Sequence, residues 1–325
     1  MPSPSREDPP SLELIDVPCA LCGEREARSV ARGEDFEYET CRNEFSFVRC
    51  ARCGHYYLSP RPQAADLDVI YPSNYYAFEG ISNPLVIRAQ RLWESGKVRI
   101  YRSYLGSGPR NLLDVGCGEG RILRLLRDHG DPSWTLCGLD FDEAPLAALR
   151  REGFEVHAQR IESFAEDPAQ RGRFDCVVML QLIEHVENPA LVAEQVFALL
   201  RPGGVFVIET PDLDGLDHRL FRGRHWGHYH FPRHWHLFDT ESLSRMLEAK
   251  GFEIADRSPL ISTSSWIISA QNLAKDRGWA GWLVRFLSYK NPLLLGLFVV
   301  FDSVRIRLGL ETSNQRVIAR RPRAV

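Results

Sequence analysis

Two cysteine pairs repeat one short pattern. Cys19-Ala-Leu-Cys22-Gly23 and Cys50-Ala-Arg-Cys53-Gly54 each place thiols at i and i+3, followed at once by glycine. A tight turn lets both sulfurs of a pair face one ion. The glycine supplies the left-handed residue that helps aim backbone N–H groups at sulfur. Four thiolates arranged this way suit tetrahedral Zn²⁺ in a closed, structural site. The competing reading is two unrelated pairs of buried or redox-active cysteines. Cys41 lies between the pairs without a partner at ligand spacing, and His55 is expected to pack rather than ligate.

Three further groups can do chemistry. Asp114-Val-Gly116-Cys-Gly118-Glu-Gly120 has G-x-G-x-G spacing, which permits a sharp turn and lets a ligand approach the backbone. The dinucleotide fingerprint G-x-G-x-x-G would need glycine where this chain has Arg121. A glycine turn opening a helix can also cradle phosphate, but the acid ahead of it better suits a cationic ligand. Gln181-Leu-Ile-Glu184-His185 offers an imidazole that is neutral near pH 7 and can take a proton. Residues 212–240 hold His218, His225, His228, His230, His234 and His236, six of the ten histidines in the chain. No pair there has H-E-x-x-H spacing, and Pro232 interrupts any regular helix from His230 to His234. Each histidine alone reads as packed or solvated. The cluster reads as a ligand-binding surface in an active-site lid.

The surrounding elements must bring these groups together. Leu112, Leu113 and Val115 read as a buried strand, and Ile122, Leu123, Leu125 and Leu126 as the apolar face of the helix after it. Leu136–Asp140 is the next strand, Glu143–Arg151 a helix, and Phe154–His157 another strand. Phe174–Leu180 is an apolar run of the parallel type, with Asp175 its one charged residue. Asn188-Pro189 opens a helix, and Val205–Glu209 follows as a strand neighbouring Phe174–Leu180. Alternating strands and helices make a doubly wound α/β sheet, whose ligands lie outside the carboxyl ends of the strands. That rule gathers Gly116, Asp140 and Gln181 around one crevice. It also sends His185 and the histidine-rich stretch to the same side, so both are expected to face one cavity.

These residues resemble a known family. Asp114 to Gly120 is similar to motif I of class I S-adenosylmethionine (SAM)-dependent methyltransferases, and Asp140 stands where their second acid does. "QLIEHVENP", "LLRPGGVFVIETPD" and "HFPRHWHLF" resemble the bacterial group that includes ubiquinone-type O-methyltransferases. Within it, the chain resembles the subgroup with an amino-terminal zinc ribbon, associated with sugar, cell-surface polysaccharide and secondary-metabolite pathways. The resemblance implies a Rossmann-like, seven-stranded methyltransferase sheet beside a Cys₄ zinc-ribbon module. It implies SAM held by Asp114, Gly116, Gly118, Gly120, Asp140, Phe141, Ile161, Glu162 and Gln181. The Asp140 carboxylate would accept from both ribose hydroxyls. His185 is the first candidate base, then His230 and His234, with Glu184 orienting a histidine or binding an acceptor hydroxyl. Quinone-type relatives show E-x-x-E-H and can bind a divalent ion there. Gln181 replaces the first acid, so one anionic ligand of such a site is missing. The acceptor implied is a small molecule: a sugar, glycolipid or secondary-metabolite hydroxyl or carbon, with a quinone or phenol as the alternative. RNA methylation and non-catalytic SAM binding are the rivals from other classes.

Composition and charge bound the rest. The chain has 325 residues, 44% apolar and 26% charged, with a formal net charge of −3, which speaks against a broad nucleic-acid surface. Residues 1–60 carry seven arginines against eleven acids, the wrong sign for a ribbon gripping RNA. No export signal is visible, so eight cysteines read as reduced thiols or metal ligands and the expected location is cytoplasmic. The expected organisation is a disordered tail over 1–12, a zinc module over 13–60 and a linker with a helix over 61–109. The methyltransferase domain follows over 110–325, with insertions at 212–240 and 260–312. Tyr71, Tyr75 and Tyr76 line a pocket or pack between lobes, and Asn83 caps the helix that begins at Pro84. The apolar run Pro292–Phe301 is too short to span a bilayer, which needs about 20 residues. Basic residues flank it, so it reads as a buried or dimer-facing helix or as an interfacial segment making peripheral membrane contact over 282–307.

Overall fold

A computed structural model describes residues 8–72 and 84–323, with side chains in the first long helix described from residue 95 onward. The first seven residues of the expected tail, Tyr75, Tyr76 and the Asn83 cap lie outside the described residues. The strands are β1 (Ala27–Gly33), β2 (Phe45–Cys50), β3 (Tyr56–Leu58), β4 (Arg110–Val115), β5 (Trp134–Asp140), β6 (Glu155–Ala158), β7 (Phe174–Leu180), β8 (Leu200–Pro211), β9 (His236–Leu237), β10 (Glu253–Pro259) and β11 (Asn314–Arg320).

Seven of them form one sheet in the order β10-β11-β8-β7-β4-β5-β6. The pairs β4–β5, β4–β7, β5–β6 and β7–β8 are parallel. The expected neighbours are thus in register, with Cys176 opposite Val205 and Leu180 opposite Glu209. β7 is buried from Phe174 to Met179, which is why it reads as an apolar run broken only by Asp175. The helix Arg121–His129 turns Ile122, Leu123, Leu125 and Leu126 inward and ends at Gly130. Asp142 caps the helix Glu143–Arg151, and Asn188 caps Pro189–Leu199 with proline in its first turn. A buried ion triad ties the sheet to the first long helix. Glu209 accepts from Lys97 at 2.6 Å and from Arg316 at 3.0 Å.

The chain divides into two compact units. The second holds residues 80–210, 243–258 and 316–325. The first gathers residues 1–79, 211–242 and 259–315. Both stretches expected as insertions of the cofactor domain therefore belong, by their contacts, with the cysteine module. The reason is a shared core: Phe45, Phe47 and Leu58 pack with Trp226, Tyr229, Phe231, Trp235 and Leu237. β9 adds to the amino-terminal sheet as a fourth strand, in the order β1-β2-β3-β9, pairing Tyr57 with His236. The 212–240 stretch is accordingly no loose lid; Trp226, Arg233 and Phe238 are fully buried. The expected tail is also shorter, since Leu12 donates to Asn43 and Pro10 accepts from Arg42.

One charged pair holds this unit together. Arg233 donates to both Asp35 oxygens at 3.0 and 2.8 Å, and neither side chain reaches solvent. Burial works to raise the Asp35 carboxyl, but the Arg233 guanidinium, with help from Thr40, holds it below its usual value. His55 and His236 join ring nitrogens at 2.9 Å, so His55 packs as expected. Burial, then its histidine neighbour, keeps His55 uncharged, well below its ordinary range.

Candidate functional site

The cysteine pairs come together in the first unit. One sulfur atom from each of Cys19, Cys22, Cys50 and Cys53 lies within 4.8 Å of all the others. Cys19 and Cys53 stand 3.5 Å apart, as do Cys22 and Cys50. Tetrahedral zinc with sulfur at ~2.3 Å needs sulfurs about 3.8 Å apart, so the four residues fit the ion. Gly23 and Gly54 adopt φ of 75° and 77°, the left-handed turns the pattern calls for. Burial works to raise the Cys50 thiol, but the backbone N–H groups of Cys53 and Arg52 outweigh it and hold the group at about 7. Cys41 is buried away from the four and joins the apolar core.

The second unit builds its site at the carboxyl ends of β4, β5 and β7. Gly116, Gly118 and Gly120 all have positive φ. A Cβ on Gly116 would meet Leu182 at 2.9 Å, and one on Gly120 would meet Leu149 at 2.3 Å. A Cβ on Gly118 would meet nothing within 4 Å. The outer glycines are packing requirements, and the middle one lies where a ligand can reach the backbone. Gly116 and Cys117 both donate to the Leu139 carbonyl, at 2.7 and 3.1 Å, which fixes the loop on β5.

Two acids flank this loop. Asp140 ends β5 and accepts from Gly118 N–H at 2.8 Å and from Asp142 N–H at 3.1 Å. A carboxylate offers about four acceptor positions, so two are left for hydroxyls. Asp114 is buried, and its Oδ2 has no hydrogen-bond partner. Burial raises it to about 7; Arg121 opposes the shift and Asp140 adds to it. A buried carboxyl left in this state is stabilised by a cationic group beside it. The donor set therefore fits SAM, whose amino and sulfonium groups carry positive charge. Phe141 follows Asp140 and is 70% exposed, a surface free to stack on a ring. Ile161 is buried and opens the helix Ile161–Glu166, with Glu162 half-buried beside it.

At the end of β7, Gln181 adopts φ 52° and donates its N–H to the Glu209 carbonyl at 2.7 Å. A non-glycine residue in this region is strained and marks a place where the chain is re-aimed. The turn that follows puts Leu182 against Gly116, which seats Gln181–His185 on the glycine loop. His185 is half-buried in this turn and donates its N–H to Leu182 at 2.9 Å. Glu184 is wholly buried and accepts from Thr210 at 3.0 Å. Burial raises its carboxyl to about 8, with Thr210 among the weaker opposing influences. With no surface of its own, Glu184 does not present itself to an acceptor; it supports the turn that carries His185.

His230 and His234 belong to the first unit. His230 adopts φ 37° and pairs with Glu37 at 2.6 Å. His234 donates from Nδ1 to the His228 carbonyl at 2.8 Å, and its ring meets His230 edge-on with centroids 4.9 Å apart. The six histidines do not form one surface. His218 donates to the Leu213 carbonyl, His225 pairs with Asp276, and His236 pairs with His55. Residue types and local spacing gave no sign of Glu37, Thr210 or Leu182, whose roles come from contacts distant in sequence. A further group, Cys137, Glu155 and His157, has ligand-like spacing, but Glu155 is already paired with Arg173 at 2.6 Å and His157 at 3.0 Å.

The model of the family described as methyltransferase domain matches residues 88–256. A relative in Mycolicibacterium smegmatis, named "Probable S-adenosylmethionine-dependent methyltransferase", is 34% identical over 151 residues, 45% of this chain and 53% of its own length. The ubiquinone biosynthesis O-methyltransferase of Marinobacter nauticus is 34% identical over 107 residues, 31% of this chain and 44% of its own. The chain thus spans about half the length of the curated relatives it matches. Among solved structures, a SAM dependent methyltransferase from Archaeoglobus fulgidus aligns with a TM-score of 0.45 at 18% identity, covering 71% of this chain and 94% of that one.

Proposed function

The chain belongs to the methyltransferase-domain family, and on that premise we propose that it transfers a methyl group from SAM to a small-molecule acceptor. The observation that carries this reading is the loop at Gly118, open on one side and bracketed by Asp140 and the unpartnered Asp114 oxygen. Bound SAM supplies an electrophilic methyl group on a sulfonium. The chain's part is to hold that group in line with the acceptor, which is worth most when the geometry is fixed beforehand. Asp140 holds the ribose hydroxyls, Asp114 faces the cationic end, and the Gln181–His185 turn closes the loop from above. His185 is the proposed base for an acceptor hydroxyl or acidic carbon, with Glu184 as a positioning residue behind it. His230 and His234 are next in line. The four cysteines hold a structural zinc ion.

The acceptor is proposed to be a sugar, a glycolipid or a secondary metabolite, on the strength of the resemblance to zinc-ribbon methyltransferases. The relatives named as ubiquinone biosynthesis O-methyltransferases favour a quinone or phenol as the second reading. Calorimetry with SAM, followed by transfer of labelled methyl to a panel of sugars, glycolipids and phenols, tests both. Absence of SAM binding sinks the catalytic reading altogether, and labelling of RNA alone replaces it with another. If His185 is the base, His185→Ala lowers turnover about 10²–10⁴-fold with SAM affinity unchanged. Intact turnover would leave alignment alone as the source of the rate.

A further inference from the structure

The helix Pro292–Arg307 has an inner and an outer side. On the inner side Phe298 stacks on Trp266 with centroids 5.4 Å apart. Asp302, wholly buried, accepts from Ser262 N–H at 2.7 Å and Trp266 Nε1 at 3.1 Å. These contacts fix the helix on its neighbour Thr263–Asp276. On the outer side, Leu293, Leu297, Val300, Val304 and Leu308 recur at helical spacing, and all are exposed, Leu293 to 76% and Val300 to 63%. The expected burial of this helix against the sheet is therefore corrected: only Asp302 is buried in it. The short helix Gly281–Phe286 braces on the same neighbour through Gln271, which donates to the Val284 carbonyl at 3.0 Å, and leaves Trp282 67% exposed. A soluble surface rarely carries an apolar stripe this long without a partner.

Charge decides which partner. From residue 277 to 310 the chain carries Arg277, Arg285, Lys290, Arg305 and Arg307, and its one acid is the buried Asp302. A second copy of the chain laid on this face would bring an excess of like charges together across the contact. An anionic lipid surface answers all of them while its acyl boundary takes the apolar stripe. Exposed Trp279 and Trp282 suit the headgroup level, where one side of the ring is apolar and the other wet. No helix among the described residues is long and apolar enough to cross a membrane, and this one, of sixteen residues, is about 24 Å long. We propose that the stripe Leu293–Leu308, with Trp279 and Trp282, docks in the plane of an anionic lipid surface.

The test uses the full chain with vesicles of phosphatidylcholine alone and of phosphatidylcholine with phosphatidylglycerol. Flotation is expected to carry the protein with the anionic vesicles and to leave it behind with the neutral ones, with binding weakened by salt. Leu297→Glu with Val300→Glu should lower the partition at least about tenfold. Arg285→Gln should lower it about fivefold at low salt. Thermal melting and SAM affinity of these variants should match the parent, which separates a docking defect from misfolding. Equal binding to both vesicle types, or binding to neither, overturns the proposal. So does a concentration-dependent dimer without lipid that the double variant abolishes, because a second copy then covers the face.

Discussion

The two candidate sites of this protein are built by opposite means. The cysteine site uses four side chains from two turns, all within 4.8 Å of one another, with backbone N–H groups supporting the sulfurs. The glycine loop uses backbone and keeps open the space that a Cβ on its middle residue, Gly118, would fill. A closed shell of thiolates retains an ion and shapes the chain around it. An open backbone cradle accepts a ligand and lets it go. On the proposed reading, the difference gives an architectural role to the first unit and turnover to the second, although both depend on left-handed glycines.

The strongest way to break that contrast is to empty the first site. Cys50→Ser should abolish zinc binding, measured as loss of one metal per chain. It should also destabilise the first unit severely, since structural zinc in finger peptides is worth about 10–16 kcal/mol of apparent binding energy. A fully folded, metal-free native protein would remove the distinction. The next effect concerns the pair that joins the cysteine module to the 212–240 stretch. Arg233→Met leaves Asp35 buried and uncompensated and should cost about 3–5 kcal/mol in denaturant unfolding. A loss under 1 kcal/mol would mean that water or another cation reaches Asp35.

On the cofactor side, the change at Asp140 should act mainly on affinity. Asp140→Ala should weaken SAM binding by roughly 1.5–3 kcal/mol, the range for hydrogen bonds to a charged group. Unchanged calorimetric affinity would place the ribose elsewhere. The last effect is one of pH, and it touches stability as well as affinity. Asp114 sits at about 7 in the folded chain, above its ordinary value near ~3.8. Its burial penalty builds as the unfolded chain ionises from about pH 4 and is complete above about pH 7, so Asp114→Asn should stabilise the SAM-free protein most at pH 8. SAM needs the ionised form, so its affinity should fall by up to about tenfold per pH unit below 7. A flat profile from pH 8 to 6 would detach Asp114 from the cationic end of the ligand.

The same contrast explains what could be read from the chain alone. β4, the glycine turn and the helix after it are consecutive, so their periodicity and spacing are sufficient to place Asp114, Gly116 and Asp140. Both cysteine pairs carry their geometry within five residues each. By contrast β9 is two residues long and gains its identity from pairing with β3. Arg233 and Asp35 stand 198 positions apart, and His230 and Glu37 stand 193 apart. No local pattern announces such partners, so a segment rich in histidine and tryptophan looked like a lid when its aromatic rings were core. Helix Pro292–Arg307 was visible as an apolar run, but its length was not. Val304 and Ile306 extend it past Phe301, and the Asn291 cap that starts it accepts from Leu293 N–H at 3.0 Å.

The way the chain threads between its two units also sets an order of events during synthesis. Residues 1–79 emerge first but lack two of the three stretches that complete their unit, which end only at residue 315. At ~5–20 residues per second, the wait is on the order of ten to fifty seconds. Throughout it, the surfaces of Phe45, Phe47 and Leu58 that later meet Trp226, Phe231 and Trp235 have no native cover. The cysteine turns are complete by residue 54, well before that cover arrives. Metal capture by the nascent chain would then act as an early clamp, holding β1 to β3 in register until the remaining stretches are translated. A fragment cut at residue 60 keeps the four cysteines but lacks the cover of Trp226, Phe231 and Trp235, so it is a poor choice for studying the cysteine cluster in isolation.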